Sequence, residues 1–231
     1  MKLPPLAPGK RMLTVGRTGC GKTVVNRAIL KALRHVTVFD TKNTFSWKEP
    51  GNPYYGLIAT NAEGVFKLWR AIEARGDGAP VIYRPNIAHP NWRHEADEIA
   101  RVAFLRQHNT LYYDELADLV NATDYERVAP HWRRAIQQGR ELELTVLMAT
   151  QRPQRIPVIA GSEADVVISF YLKTKADRDR VEEWVGPVPW GALARTKHSF
   201  VIATEESQLS EDELRPHLLT LDSPRLEQRS A

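Results

Sequence analysis

Cysteine is almost absent. Cys20 is the only one among 231 residues, which excludes an internal disulfide and a cysteine-built metal site. Long apolar runs are missing too: none approaches the roughly 20 residues that a membrane-crossing helix needs. Met1-Lys2-Leu3-Pro4-Pro5 lacks the hydrophobic core of a secretory leader. These absences predict a cytoplasmic protein with no membrane insertion. No internal repeat or linker-like stretch interrupts the chain, and no run of lysine and arginine marks a nucleic-acid arm. The seven histidines show no metal-ligand spacing.

What is present is an ordinary globular composition, 42% hydrophobic and 26% charged, long enough for one α/β domain with a sizeable core. The formal charge of +4, with arginine outnumbering lysine, permits a polyanionic partner without demanding one. Apolar, β-branched runs at Met12–Val15, His35–Asp40, Pro80–Arg84, Thr110–Asp114, Leu142–Thr150, Val166–Leu172 and His198–Thr204 predict seven strands. Between them, helical periodicity marks Ala62–Ala74, His94–Gln107, Asp124–Arg140 (despite Pro130) and Lys175–Val185. Strands alternating with helices predict an α/β fold of three layers, a mostly parallel sheet covered on both faces. Residues 1–207 are expected to form one domain, and 208–231 a short helix and a mobile tail.

The chain is organised around Gly16-Arg17-Thr18-Gly19-Cys20-Gly21-Lys22-Thr23, which fits G-x-x-x-x-G-K-[ST] at every fixed position. A predicted strand precedes it. Val25, Ala28, Ile29, Ala32 and Leu33 follow at helical spacing. Glycines let successive N–H groups curl around an anion, and the helix N-terminus adds partial positive charge. In such a loop Lys22 reaches the β- and γ-phosphates and the Thr23 hydroxyl coordinates Mg²⁺, so ATP with Mg²⁺ is the expected ligand.

Two further stretches fit that chemistry. Leu111-Tyr112-Tyr113-Asp114-Glu115 is an apolar strand ending in two acids, with Asp114 suited to the metal and Glu115 to activating water. The alternative for that pair is two solvated acids opening a helix. Ala149-Thr150-Gln151-Arg152-Pro153 closes the next strand, where an amide such as Gln151 faces the nucleotide crevice of a parallel sheet.

Taken together, Gly21-Lys22-Thr23, Tyr113-Asp114-Glu115, Gly139-Arg140 and Ala149–Pro153 resemble the FtsK–HerA superfamily of DNA-translocating ATPases. The strand ending Val38-Phe39-Asp40-Thr41-Lys42 is similar to that family's second strand, with Thr41 where the family has proline. The resemblance implies a RecA-like (ASCE) P-loop NTPase fold and ATP hydrolysis coupled to moving double-stranded DNA. It implies Glu115 as base, Gln151 as sensor and Arg140 as an arginine inserted into a neighbour's site, with Arg152 and Arg155 as substitutes. An arginine acting in trans implies a homo-hexameric ring.

A minimal version without extra domains resembles the genome-packaging ATPases of tailless icosahedral viruses with internal membranes. For that reading the partners are duplex DNA and a capsid-vertex or virion-membrane protein. Lys42, Lys48, Trp92 and Arg93 lie on two loops suited to phosphate contact, although solvated charges and packing aromatics explain them as well. Two rival functions remain open: a cellular or mobile-element DNA pump of the same superfamily, and a non-translocating export ATPase or nucleotide kinase.

Overall fold

The computed structural model describes residues 6–47, 56–76 and 78–204, together with the backbone of 217–220. Its strands are β1 (Arg11–Val15), β2 (Val36–Phe39), β3 (Leu57–Ala59), β4 (Val81–Tyr83), β5 (Thr110–Tyr113), β6 (Thr145–Thr150), β7 (Val166–Phe170), β8 (Ser199–Thr204) and β9 (His217–Thr220). The helices are α1 (Lys22–Leu30), α2 (Ala62–Arg75), α3 (Trp92–Arg106), α4 (Leu116–Leu119), α5 (Tyr125–Val128), α6 (Pro130–Gln138), α7 (Ile159–Ser162), α8 (Lys175–Val185) and α9 (Trp190–Arg195). One sheet holds all nine strands in the order β3-β4-β2-β5-β6-β1-β7-β8-β9. Pairing is parallel from β3 through β7, and β8 and β9 close the far edge antiparallel.

Alternation along the strands separates two apolar layers. Leu13, Val15, Leu111, Tyr113, Val146 and Met148 face one side, where Val65 and Trp69 of α2, Ile99 and Ala103 of α3, Trp132 and Ile136 of α6 and Val181 of α8 cover them. Met12, Val36, Val38, Tyr112 and Leu147 face the other side and meet Val25, Ile29 and Leu30 of α1 with Phe45 and Trp47. Both faces are buried, which is why the parallel strands read as continuous apolar runs.

The seven expected strands are present, and two more appear. β3 has only three residues, too short for alternation to register. Within 208–231, expected to hold a short helix and a tail, the described residues 217–220 are a strand; the rest of that segment lies outside the described residues. The helix expected across Asp124–Arg140 is in fact two. Ala129 leaves the helical region at φ −142°, and Pro130 starts α6 at its first turn, where a missing N–H costs nothing. Asp97 on α3 caps α6, its Oδ1 accepting from the His131 and Trp132 amides at 3.0 and 2.9 Å. No helix among the described residues is long and apolar enough to cross a membrane.

Candidate nucleotide site

Three strand ends meet at the carboxyl edge of the sheet: β1, β5 and β6, with β6 lying between the other two. The loop after β1 turns through Gly19 at φ 73° and Gly21 at φ 112°, backbone that side chains rarely adopt. Gly16, at φ 156°, is required for space as well. A Cβ there would lie 2.6 Å from Cβ of Phe170 and 2.7 Å from Sγ of Cys20. α1 then starts at Lys22 with no side-chain cap and no acid in its first turn, whereas Asn61 caps α2 and Thr174 caps α8. Its first amides are therefore left to an anion.

The Lys22 ammonium donates to the carbonyls of Gly16 at 2.6 Å and Arg17 at 3.1 Å. Burial lowers its pKa, opposed by the charges of Glu115 and Asp114. Thr18 and Gln151 come together, with the Thr18 hydroxyl donating to Oε1 of Gln151 at 2.5 Å. Thr23, half-buried, is the second residue of α1. Arg17 is exposed, and its guanidinium lies 5.9 Å from the centre of the Tyr171 ring.

Glu115 is only 4% exposed and accepts three hydrogen bonds. Oε1 takes one from the Thr150 hydroxyl at 2.7 Å and one from the Gln151 amide at 3.1 Å, while Oε2 takes the Lys42 ammonium at 2.8 Å. Asp114 receives the Tyr112 hydroxyl on Oδ1 at 2.6 Å. Burial raises the Asp114 pKa despite that bond, and the nearby charges of Asp40 and Glu115 push the same way. A half-buried carboxylate among acids, beside a hydroxyl on a helix N-terminus, is an all-oxygen donor set that suits Mg²⁺. Asp114 and Thr23 would hold the ion. Among the described residues no group of three or more His, Cys, Asp and Glu side chains forms a separate metal cluster.

Arg140 lies at the other end of the sheet. It sits in a 3₁₀ turn (Arg140–Leu142) and pairs with Asp165, the residue before β7, which also takes the Lys10 ammonium at 2.9 Å and the Arg11 amide at 2.7 Å. The five residues of β1, roughly 16 Å of strand, separate that amino edge from the phosphate loop. Arg152 and Arg155 are exposed at the carboxyl edge, and Nε of Arg152 lies 3.6 Å from Asp177.

The loop residues expected to face DNA are placed as follows. Lys42 is turned onto Glu115. Trp92 packs partly buried against the core, and Arg93 donates to the Asp118 carbonyl at 3.1 Å while stacking on Trp92. Lys48 lies outside the described residues. Trp47 is a core residue, 8% exposed.

Four participants had been given no role in the sequence reading, three of them although quoted inside its motifs. Asn26 is a buried amide on the otherwise apolar face of α1, Tyr112 carries a hydroxyl inside an apolar strand, and Thr150 sits one place before the singled-out Gln151. Asp40 is the fourth. It accepts from the amides of Thr44 and Phe45 and from Arg84 at 2.9 Å, so it folds the loop that carries Lys42. A polar residue at a position where the pattern demands an apolar one was the available signal.

Fold and cradle together define the class: this is a P-loop NTPase fold. Neither a family model nor a curated protein matches the sequence. Among solved structures the chain is similar to the genome packaging NTPase B204 from Sulfolobus turreted icosahedral virus 2 in complex with ATP-gammaS. The TM-score is 0.64, at 16% identity over 87% of this chain and 95% of that one. The DNA-packaging ATPase B204 from Sulfolobus turreted icosahedral virus gives a TM-score of 0.61 at 16% identity, over 88% and 96%. The pCW3 conjugation coupling protein TcpA, with ATPgS, gives 0.52 at 18% over 85% of this chain, which spans 58% of TcpA. At these identities the likeness is one of fold. The neighbours are a viral packaging ATPase and a conjugation coupling protein, the kinds of protein that the sequence motifs resemble.

Proposed function

We propose that the chain is an ATP hydrolase that drives double-stranded DNA through a homo-hexameric ring, and that its task is packaging a viral genome from the host cytoplasm at a capsid vertex. One observation carries the hydrolase reading: a phosphate cradle, the buried Glu115, the half-buried Asp114 and Gln151 converge at the ends of three adjacent strands. Lys22 and the α1 amides would bind the β- and γ-phosphates. Mg²⁺ would neutralise phosphate charge, held by Thr23 and Asp114. Glu115 would take a proton from water as its oxygen attacks the γ-phosphorus and the bond to the β-phosphate oxygen breaks. Gln151, already bonded to Thr18 of the cradle, is positioned to register that change.

The packaging task rests on less: the B204 structures carry it by name, and this chain shares their fold over nearly its whole described length. Arg140 supports a ring. It stands a full strand away from its own cradle, so a guanidinium from Arg140 can reach a γ-phosphate only in another copy. Two measurements test the reading together. Phosphate release should rise with duplex DNA, and native mass with an ATP analogue and DNA should show six copies. A monomer that hydrolyses ATP at an unchanged rate when DNA is added would overturn the motor, and stimulation by a small acceptor instead would indicate a kinase.

A further inference from the structure

Beneath the phosphate loop runs a line of four polar side chains, the first three fully buried and the last half-buried. The Thr14 hydroxyl of β1 donates to Oδ1 of Asn26 on α1 at 2.7 Å, Nδ2 of Asn26 donates to the Tyr112 hydroxyl of β5 at 3.1 Å, and that hydroxyl donates to Oδ1 of Asp114 at 2.6 Å. Thr14, Asn26 and Tyr112 are each 0% exposed. All three bonds run in one sense, each group giving a hydrogen to the next, and the sequence of donors ends on a carboxylate. Nothing in the packing requires them, because the neighbouring positions on the same face, Met12, Val25 and Leu147, are apolar. The contrast with Tyr113 is direct: one residue on and facing the opposite layer, its hydroxyl is buried with no partner among the described residues.

We infer that Tyr112, held by Asn26 and Thr14, is a positioning residue for the metal-binding carboxylate. It occupies Oδ1 of Asp114 and thereby fixes the carboxyl plane, so that Oδ2, which takes no hydrogen bond from the described residues, is the oxygen presented to magnesium. Because Asn26 belongs to α1, the same bonds tie the helix that holds the phosphates to the acid that holds the ion. The inference rests on the nucleotide-hydrolase reading above and adds residues to its site.

The test is binding rather than turnover: anisotropy of a fluorescent ATP analogue on the whole chain, with and without chelator and over a range of Mg²⁺. Tyr112→Phe removes the terminal donor and, with it, the acceptor of Asn26 Nδ2. It should raise the Mg²⁺ concentration that gives half of the affinity gain by about tenfold, the usual effect of losing a partner behind a metal ligand. Affinity in chelator should stay at the wild-type value. Asn26→Leu should shift the midpoint less, and Thr14→Val least. If Tyr112→Phe does not fold because Asn26 is left unpaired, Tyr112→Phe with Asn26→Leu removes both halves of that bond and should show the same tenfold shift. Equal Mg²⁺ midpoints in the folded variant and the wild type would overturn the inference while leaving the nucleotide site standing. Wild-type protein that binds no analogue at any Mg²⁺ concentration would remove the site itself, and the positioning role with it.

Discussion

Glu115→Gln separates binding from hydrolysis, and its cost can be worked out group by group. The substitution keeps the shape. An amide oxygen in the place of Oε1 still accepts from Thr150 and from the Gln151 amide, but the new NH₂ faces the Lys42 ammonium, donor against donor. Lys42 is 37% exposed and can swing into water, so the lost ion pair costs about 0.5–1 kcal/mol after screening. For a chain of this size that lowers Tm by roughly 1–4 °C, and the variant stays folded. Losing the base is a larger effect. General-base catalysis supplies roughly 10²- to 10⁴-fold, or about 3–5 kcal/mol of barrier, so phosphate release should fall by that factor. Affinity for the analogue should change less than about threefold, because Glu115 belongs to β5 and not to the cradle. The assay is single-turnover phosphate release beside analogue binding. Near-normal turnover in a variant that binds normally would refute Glu115 as the base.

Lys42→Met frees Oε2 of Glu115, which the ammonium otherwise occupies. Basal turnover should rise by roughly threefold to tenfold with unchanged analogue affinity, and a fall would show that Lys42 assists the reaction directly. Mixing Arg140→Ala with Lys22→Ala subunits should restore phosphate release that neither variant has alone, and no restoration would place Arg140 outside the neighbouring site. Cys20 should alkylate slowly near neutral pH and faster as pH rises past 9, because burial raises its pKa although the Lys22 charge opposes it. Once modified, the buried thiol beside Gly16 should block analogue binding, which the mass of the adduct and anisotropy check together. Asp165→Asn should cost about 2–3 kcal/mol and lower Tm by roughly 5–10 °C, since the Arg11 guanidinium would lose its buried carboxylate. Burial alone would raise the Asp165 pKa, but the Arg11 amide and the Lys10, Arg11 and Arg140 charges outweigh it and the net shift is downward. Its stabilisation is therefore complete above about pH 4 and disappears as pH falls through the lowered value, so Tm measured between pH 2.5 and 6 should lose that component in the Asn variant.

The parts legible in the sequence were those whose chemistry depends on contiguous residues. Gly16–Thr23 states its own geometry because the loop is local, and the apolar strand before Asp114 and Glu115 does the same. The parts that were not legible are those made by long-range contact. Lys42 reads as a loop charge until β2 and β5 pair and bring it to Glu115, 73 residues away. Thr14, Asn26 and Tyr112 each look like a tolerable polar exception in an apolar element, and only their convergence gives them a common purpose. At Pro130 the error ran the other way, a local signal overridden by the pattern around it. The apolar periodicity across Asp124–Arg140 was real, but the break before a proline is a local steric fact that periodicity does not encode.

The sheet has two chemically different ends, and the difference bears on how a ring could work. At the carboxyl edge Asp40, Asp114, Glu115 and Asp118 crowd the crevice, where Lys22, Lys42 and Arg84 are already engaged by carbonyls, by Glu115 and by Asp40, while Arg17, Arg152 and Arg155 stand exposed around it. Such an edge gains from an incoming positive charge when a triphosphate adds four more negatives. At the amino edge Lys10, Arg11 and Arg140 share the single carboxylate of Asp165. Arg140 is the member best able to leave. Its side chain is 49% exposed, against 7% for Arg11, and Asp165 would keep Lys10 and both the amide and guanidinium of Arg11 if Arg140 departed. The ion pair that holds Arg140 in one copy is thus compatible with its release to a phosphate in the next, because the partner it abandons remains satisfied. An arginine that was the sole counter-charge of a buried acid could not make that exchange without leaving the acid unpaired in the interior.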